Sequence, residues 1–137
     1  MRIYQGNNFT VSIPNLWQGV FDEEEQYDVL YNPDGPGELQ LSAIMHDKVL
    51  SVEDLKNIAA EDIQGGARIE EIELGDFKGF VFDYDVDDEF WSEWYLASGG
   101  LMLFITYTCP QEDEGKETDE VELILGTLRY SRQGEVA

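Results

Sequence analysis

The sequence has few basic residues. Its 137 residues include 8 lysines and arginines against 30 aspartates and glutamates, which gives a formal net charge of −22 at pH 7. Nucleic-acid backbones and anionic membrane surfaces attract positively charged proteins and repel negatively charged ones. The composition therefore excludes nucleic acid and membrane surfaces as expected partners, and it favours a basic protein partner.

Cysteine and histidine are nearly missing as well. With Cys109 as its single cysteine, the chain has no internal disulfide and no zinc site built on paired cysteines. Cys109 lies at the end of a predicted strand, and His46, the single histidine, is typical of an exposed strand end. We predict no metal site, no cofactor and no cysteine nucleophile.

Long apolar runs are also lacking. The longest apolar stretch, Leu101–Ile105, is about a quarter of the length that spans a bilayer, and the N-terminal residues lack the pattern of a signal peptide. Hydrophobic residues nonetheless make up 42% and aromatic residues 12% of the chain, enough to bury a core. We expect one soluble, cytoplasmic domain over residues 1–137, with a frayed tail from about residue 133.

Alternation of apolar and polar residues predicts the strands. Phe9–Ile13, Tyr27–Tyr31 and Leu39–Met45 alternate in this way, and the turn formers in Asn32–Gly37 predict a hairpin between the second and third. Further strands are predicted at Ile69–Leu74, Phe77–Val86, Phe90–Ala97 and Leu101–Thr108. The last of these is apolar on both parities, which predicts an interior strand covered on both faces.

Two helices complete the pattern. Ser51 is a good N-cap for a helix that continues to Ile63 and ends at Gly65-Gly66, and Thr118 can cap a second helix up to Leu128. The element order is a β-hairpin, a helix, three or four strands and a helix. It predicts an α+β fold with a single antiparallel sheet of about six strands and one helix on each face, in three α/β/α layers.

Loose motifs between Phe9 and Tyr130 match one family pattern. They are Phe9–Pro14 followed by Leu16-Trp17, then Ser51–Leu55, Gly79-Phe80, Leu101–Tyr107 and Ile124–Arg129. Together they resemble the PsbP/Mog-like family, which includes bacterial DcrB-type and Eag-type chaperone domains. The resemblance implies a PsbP/Mog-like domain that binds other proteins and is not an enzyme.

The segment after Phe82 is rich in aspartate. Asp83, Asp85 and Asp87 have the spacing that opens an EF-hand loop, but the sixth and twelfth positions hold Asp88 and Trp94. Calcium loops of this type need glycine and glutamate at those positions. We therefore predict no calcium site, and we expect the three aspartates to lie on one face of a strand.

The next strand adds aromatic side chains. Its Trp91, Glu93 and Tyr95 share a face. Beside the preceding aspartates they form a candidate surface for a partner that carries lysine or arginine, through salt bridges and cation–π contacts. The alternatives are a solvated face for the aspartates and packing of the aromatic residues under the helices. The candidate protein-binding residues are Asp83, Asp85, Asp87, Trp91, Glu93 and Tyr95.

These features lead to four functional hypotheses, the last of which is a purely structural subunit of a larger assembly. The first is a non-catalytic, cytoplasmic bacterial protein that binds another protein as a chaperone or adaptor. The second is an immunity protein that neutralises a basic toxin, because opposite charge raises association rates. The third is a small hydrolase that uses two carboxylates, although no catalytic sequence motif is present. The oligomeric state is left open.

Overall fold

Ten strands and two helices are formed by residues 1–63 and 68–131, the part of the chain that the computed structural model describes. Gly65-Gly66 and the expected frayed tail lie outside it. The strands are β1 (Arg2–Gln5), β2 (Phe9–Ile13), β3 (Gln18–Asp22), β4 (Tyr27–Tyr31), β5 (Glu38–Met45), β6 (Glu70–Leu74), β7 (Phe77–Val86), β8 (Glu89–Ser98), β9 (Leu101–Pro110) and β10 (Arg129–Tyr130). The helices are α1 (Val52–Ala59) and α2 (Thr118–Leu125), with a 3-10 turn at Gln111–Asp113.

Seven of the strands form one antiparallel sheet in the order β3-β4-β5-β9-β8-β7-β6. The prediction of an interior strand is confirmed, because β9 pairs with β5 on one side and β8 on the other. Its side chains are buried on both faces: Leu103 and Ile105 pack on one side, and Met102 on the other.

The remaining three strands form a second sheet in the order β1-β2-β10. The α+β class with two helices is therefore confirmed, but the prediction of a single sheet of about six strands is wrong. Strands β1 and β3, which the sequence pattern missed, have mostly exposed side chains. An exposed edge strand needs no alternating apolar residues, so it leaves little trace in the sequence.

The large sheet separates two apolar clusters. On one face, Leu55 and Ala59 of α1 pack against Phe80 and Phe82. On the other face, α2 and the small sheet pack against the apolar side chains of β5, β8 and β9. Each fully buried aromatic or branched side chain contributes about 1.5–3 kcal/mol to the free energy of folding. Because both clusters are buried against the large sheet, both layers depend on it.

Helix α1 begins with a capping box. The Ser51 hydroxyl accepts from the Asp54 amide, and the Asp54 carboxylate accepts from the Ser51 amide. The helix ends at Ala59, earlier than the predicted Ile63. The amides of Ala60 and Asp62 donate to carbonyls only three residues back, on Asn57 and Ala59, which is the pattern of tighter 3-10 turns. The helix is therefore short relative to the sheet beneath it.

Helix α2 is held differently from the prediction. Its N-cap is Glu117, not Thr118, and the Glu117 side chain makes no capping hydrogen bond. Instead this buried carboxylate accepts the Tyr107 hydroxyl at 2.7 Å and the Gly37 amide at 3.0 Å. Glu117 thereby fastens the Asn32–Gly37 loop and strand β9 to the start of α2.

Among the described residues, every buried carboxylate accepts a hydrogen bond from a tyrosine hydroxyl. Asp28, Glu93 and Glu117 are the buried acidic side chains, and each accepts a hydrogen bond from a tyrosine. A buried carboxylate without partners costs several kcal/mol, and lysine or arginine is scarce in this chain. The tyrosine–carboxylate pairs are Tyr4–Asp28, Tyr84–Glu93 and Tyr107–Glu117.

We expect Tyr107→Phe to lower the free energy of unfolding by about 1–3 kcal/mol, because it removes a donor from a buried carboxylate. Glu117→Gln should cost less than about 1 kcal/mol, since the amide oxygen still accepts both bonds and a buried charge disappears. Urea unfolding measures both. Tyr31→Phe, which removes an exposed hydroxyl bonded to Gln18, is the matched control, with an effect within about 0.5 kcal/mol. A larger loss for Glu117→Gln than for Tyr107→Phe contradicts this account.

Candidate functional site

The β7–β8 hairpin fixes where the predicted site residues lie. Its turn residues Asp87 and Asp88 both have positive φ, 51° and 66°, as two-residue hairpin turns of type I′ require. The turn sets the register, in which Val86 pairs with Glu89 and Phe82 with Glu93. Asp87 therefore belongs to the turn and not to the strand face.

The six predicted residues do not share one surface. The pairing of Tyr84 with Trp91 places Trp91, Glu93 and Tyr95 on the α1 side of the sheet. The pairing of Asp83 with Ser92 places Asp83 and Asp85 on the α2 side. The sequence thus identified the right parity within each strand but joined two opposite faces into one candidate surface.

The α1 side carries a closed network of aromatic rings and carboxylates. Glu93 is buried and accepts the Tyr84 hydroxyl, and the Tyr84 ring stacks on the Trp91 ring at 6.3 Å between centroids. The Tyr95 hydroxyl donates to Asp62 at 2.7 Å. These contacts favour the alternative in which the aromatic residues pack within the fold.

The electrostatics of Glu93 agree with this role. Burial raises the pKa of its carboxyl above the ordinary value, a shift that the Asp62 charge reinforces and the Tyr84 hydrogen bond partly offsets. Glu93 forms no salt bridge with a described basic residue. The Tyr84 hydroxyl is its hydrogen-bond partner inside the fold.

The α2 side holds a groove, which we call the α2 groove. It lies between helix α2 and strands β6, β7 and β8, and encloses about 200 Å³. Its lining comprises Glu70, Ile72, Leu74, Val81, Asp83, Phe90, Ser92, Trp94, Tyr107, Thr118, Val121, Glu122 and Leu125. Because α2 has eight residues, about 12 Å of helix, it leaves the outer strands uncovered.

The α2 groove has an apolar floor next to the core and an acidic rim facing solvent. Its apolar side chains belong to the main core cluster or pack against it. Three exposed carboxylates stand around it, on Glu70, Asp83 and Glu122, and the lining residues include no lysine, arginine or histidine. Such a site fits an apolar group that carries positive charge.

Nothing in the described residues assembles a metal or nucleophilic site. No cluster of three or more metal-ligating side chains occurs among them. Cys109 is buried, and burial raises the pKa of its thiol. His46 lies beside Gly100 at the opposite end of β9, roughly 25–30 Å along the strand from Cys109. The two side chains therefore cannot act as a catalytic pair.

The sequence reasoning missed several groove residues. Glu70 and Ile72 lie on an edge strand, and Glu122 lies on the polar face of α2. The period of α2 places Thr118, Val121, Glu122 and Leu125 on neighbouring turns, which was available in the sequence. The sequence does not show that this side of the helix faces β6 and β7, because that depends on packing between distant segments.

No family model matches the chain, and no curated protein matches it. Among solved structures, a Bacteroides thetaiotaomicron protein matches with a TM-score of 0.68 and 19% identity, over 95% of this chain and 47% of that one. LpqN of Mycobacterium tuberculosis, described as involved in cell envelope biogenesis, matches with a TM-score of 0.64 and 12% identity, over 90% and 83% of the two chains. This chain thus spans about half the length of the Bacteroides protein.

A third match is the cyanobacterial PsbP protein of Synechocystis sp. PCC 6803, with a TM-score of 0.48, 12% identity, and coverage of 94% and 91%. The fold likeness rests on the first two structures. Identities this low show a shared fold alone. The expected kinship with DcrB-type and Eag-type domains stays a prediction. None of the described helices is long and apolar enough to cross a membrane.

We expect the protein to become more stable as the pH falls from neutral towards the unfolded pKa of its carboxyl groups, near 4. Burial raises the pKa of both Asp28 and Glu93 in the folded state, so between their unfolded values near 4 and the raised folded values the native state binds more protons than the unfolded one. Thermal unfolding at matched ionic strength measures the trend, which Asp28→Asn and Glu93→Gln should flatten. Asp34→Asn, at an exposed loop position, should leave it unchanged. A stability maximum at pH 8 contradicts this prediction.

Proposed function

We propose that this protein is a non-catalytic binding domain that takes a basic, partly apolar segment of another protein in the α2 groove. The carrying observation is the groove itself, in which an apolar floor next to the core is surrounded by three exposed carboxylates and no basic lining residue. Binding energy would come from burying the apolar side chains, and selectivity from the acidic rim.

The charge of the whole chain supports the same partner. With a net charge of −22, the protein attracts basic partners over a distance and accelerates their encounter at low salt. The rim carboxylates of the α2 groove make no salt bridge with described basic residues. They are therefore available to pair with lysine or arginine from outside.

The immunity hypothesis is one version of this proposal. A basic toxin would supply the positively charged segment, and the binding chemistry in the α2 groove would be the same. The hydrolase hypothesis has less support, because the buried Glu93 and its neighbour Asp62 each accept a tyrosine hydroxyl and do not line the α2 groove.

Binding of a model peptide tests the proposal. A synthetic peptide of alternating leucine and lysine should bind and change the fluorescence of Trp94, which lines the groove, whereas a leucine–glutamate peptide should not. Asp83→Lys combined with Glu122→Lys should weaken the binding by about tenfold or more, since each replaces an attraction by a repulsion of about 1 kcal/mol. Fluorescence titration at two salt concentrations gives both results.

The matched control is Asp34→Lys together with Glu53→Lys, which makes the same change in net charge at exposed positions outside the groove lining. Its affinity for the leucine–lysine peptide should fall by less than about threefold, which is the part that long-range attraction contributes. Equal weakening in both double variants, or equal affinity for the leucine–glutamate peptide, overturns the proposal.

A further inference from the structure

Strand β3 forms one edge of the seven-stranded sheet. Within the described residues it pairs with β4 alone, so alternate backbone N–H and C=O groups along it are directed away from the sheet. Its first three residues are exposed, and the Val20 side chain is 54% exposed. The strand thus offers accessible hydrogen-bonding groups beside an apolar side chain.

The two edges of this sheet differ in charge. At the opposite edge, β6 carries Glu70, Glu71 and Glu73 within five residues. Charged side chains on an edge strand discourage another strand from pairing with it. Strand β3 has no charged residue from Gln18 to Phe21, so it lacks this protection.

Strand β3 also runs directly into an acidic turn. Asp22 is its last residue, and Glu23, Glu24 and Glu25 follow it with exposed side chains. The Asp22 carboxylate accepts the amides of Glu24 and Glu25. The turn therefore has a fixed backbone and three outward carboxylates at one end of the open edge.

We infer that β3 is a second binding site, which takes an extended peptide segment as an eighth, antiparallel strand with basic residues at the segment's N-terminal end. Every other pair in this sheet is antiparallel. An antiparallel strand added to β3 begins beside the acidic turn, so positive charge at its start pairs with the glutamates. Backbone hydrogen bonds supply the affinity, and alternate side chains contact Val20.

A second copy of this chain is a poorer occupant. Pairing β3 with itself would bring together two chains that each carry a net charge of −22. The two acidic turns would add eight acidic residues, and the strands from Gln18 to Phe21 offer no basic residue to balance them. The site is also independent of the α2 groove, which lies at the β6 side of the sheet.

Three synthetic peptides test the inference on the full chain. The first alternates threonine and valine and carries two lysines at its N-terminus. The second carries the same lysines at its C-terminus, and the third is the first with alternate backbone amides methylated, which blocks strand pairing without changing charge. Fluorescence anisotropy measures affinity, and amide hydrogen exchange shows which residues become protected.

We expect the first peptide to bind about tenfold or more tightly than either of the others and to protect the amides of β3. Replacing Glu23, Glu24 and Glu25 by glutamine should weaken the binding of the first peptide about tenfold. The same number of changes at exposed Glu53, Glu61 and Glu112 should weaken it less than about threefold.

Other outcomes overturn the inference. Equal binding of the methylated peptide excludes strand addition, and equal binding of the second peptide excludes the antiparallel orientation. Dimerisation in light scattering, with β3 amides protected in the absence of peptide, identifies a second copy as the occupant. The Asp83→Lys/Glu122→Lys variant should lose less than about threefold in affinity for the first peptide, so this test and that of the α2 groove can fail separately.

Discussion

The need to bury carboxylates without cations shapes this molecule more than any other constraint. The chain has nearly four acidic residues for each basic one, and its buried acids are satisfied by tyrosine hydroxyls. A neutral donor does not compensate a buried charge as a lysine does, and this is why burial dominates the raised pKa of Asp28 and Glu93. Apolar packing around the pairs offsets the free-energy cost of burying their carboxylates.

These pairs also join the layers. Tyr4 of the small sheet reaches Asp28 of the large sheet at 2.5 Å, and Tyr107 joins β9 to the start of α2 through Glu117. The Glu117 carboxylate in turn fixes the Asn32–Gly37 loop. Polar contacts therefore set how the small sheet and α2 sit on the large sheet, while apolar burial supplies most of the energy.

The same constraint divides the acidic residues into two groups. Three acids are buried and accept tyrosine hydroxyls. The exposed acids include the rim of the α2 groove and the turn after β3. The acids of the groove rim and of this turn form no salt bridge with described basic residues, whereas other exposed acids, such as Asp54 and Asp76, do. Part of the large negative charge thus forms two defined surfaces, one beside an apolar groove and one beside an open strand edge.

The sequence by itself determined the α+β class, both helices and the strands β2, β4, β5, β6, β7, β8 and β9, because each has its own pattern of apolar residues. It also placed Asp83 and Asp85 on one face of β7, and Trp91, Glu93 and Tyr95 on one face of β8. Only the tertiary structure decided that these two sets lie on opposite faces, since that depends on the hairpin register set at Asp87-Asp88. The second sheet, the groove beneath α2 and the open edge of β3 likewise depend on how segments distant in sequence pack together. Local periodicity carries no information about such packing.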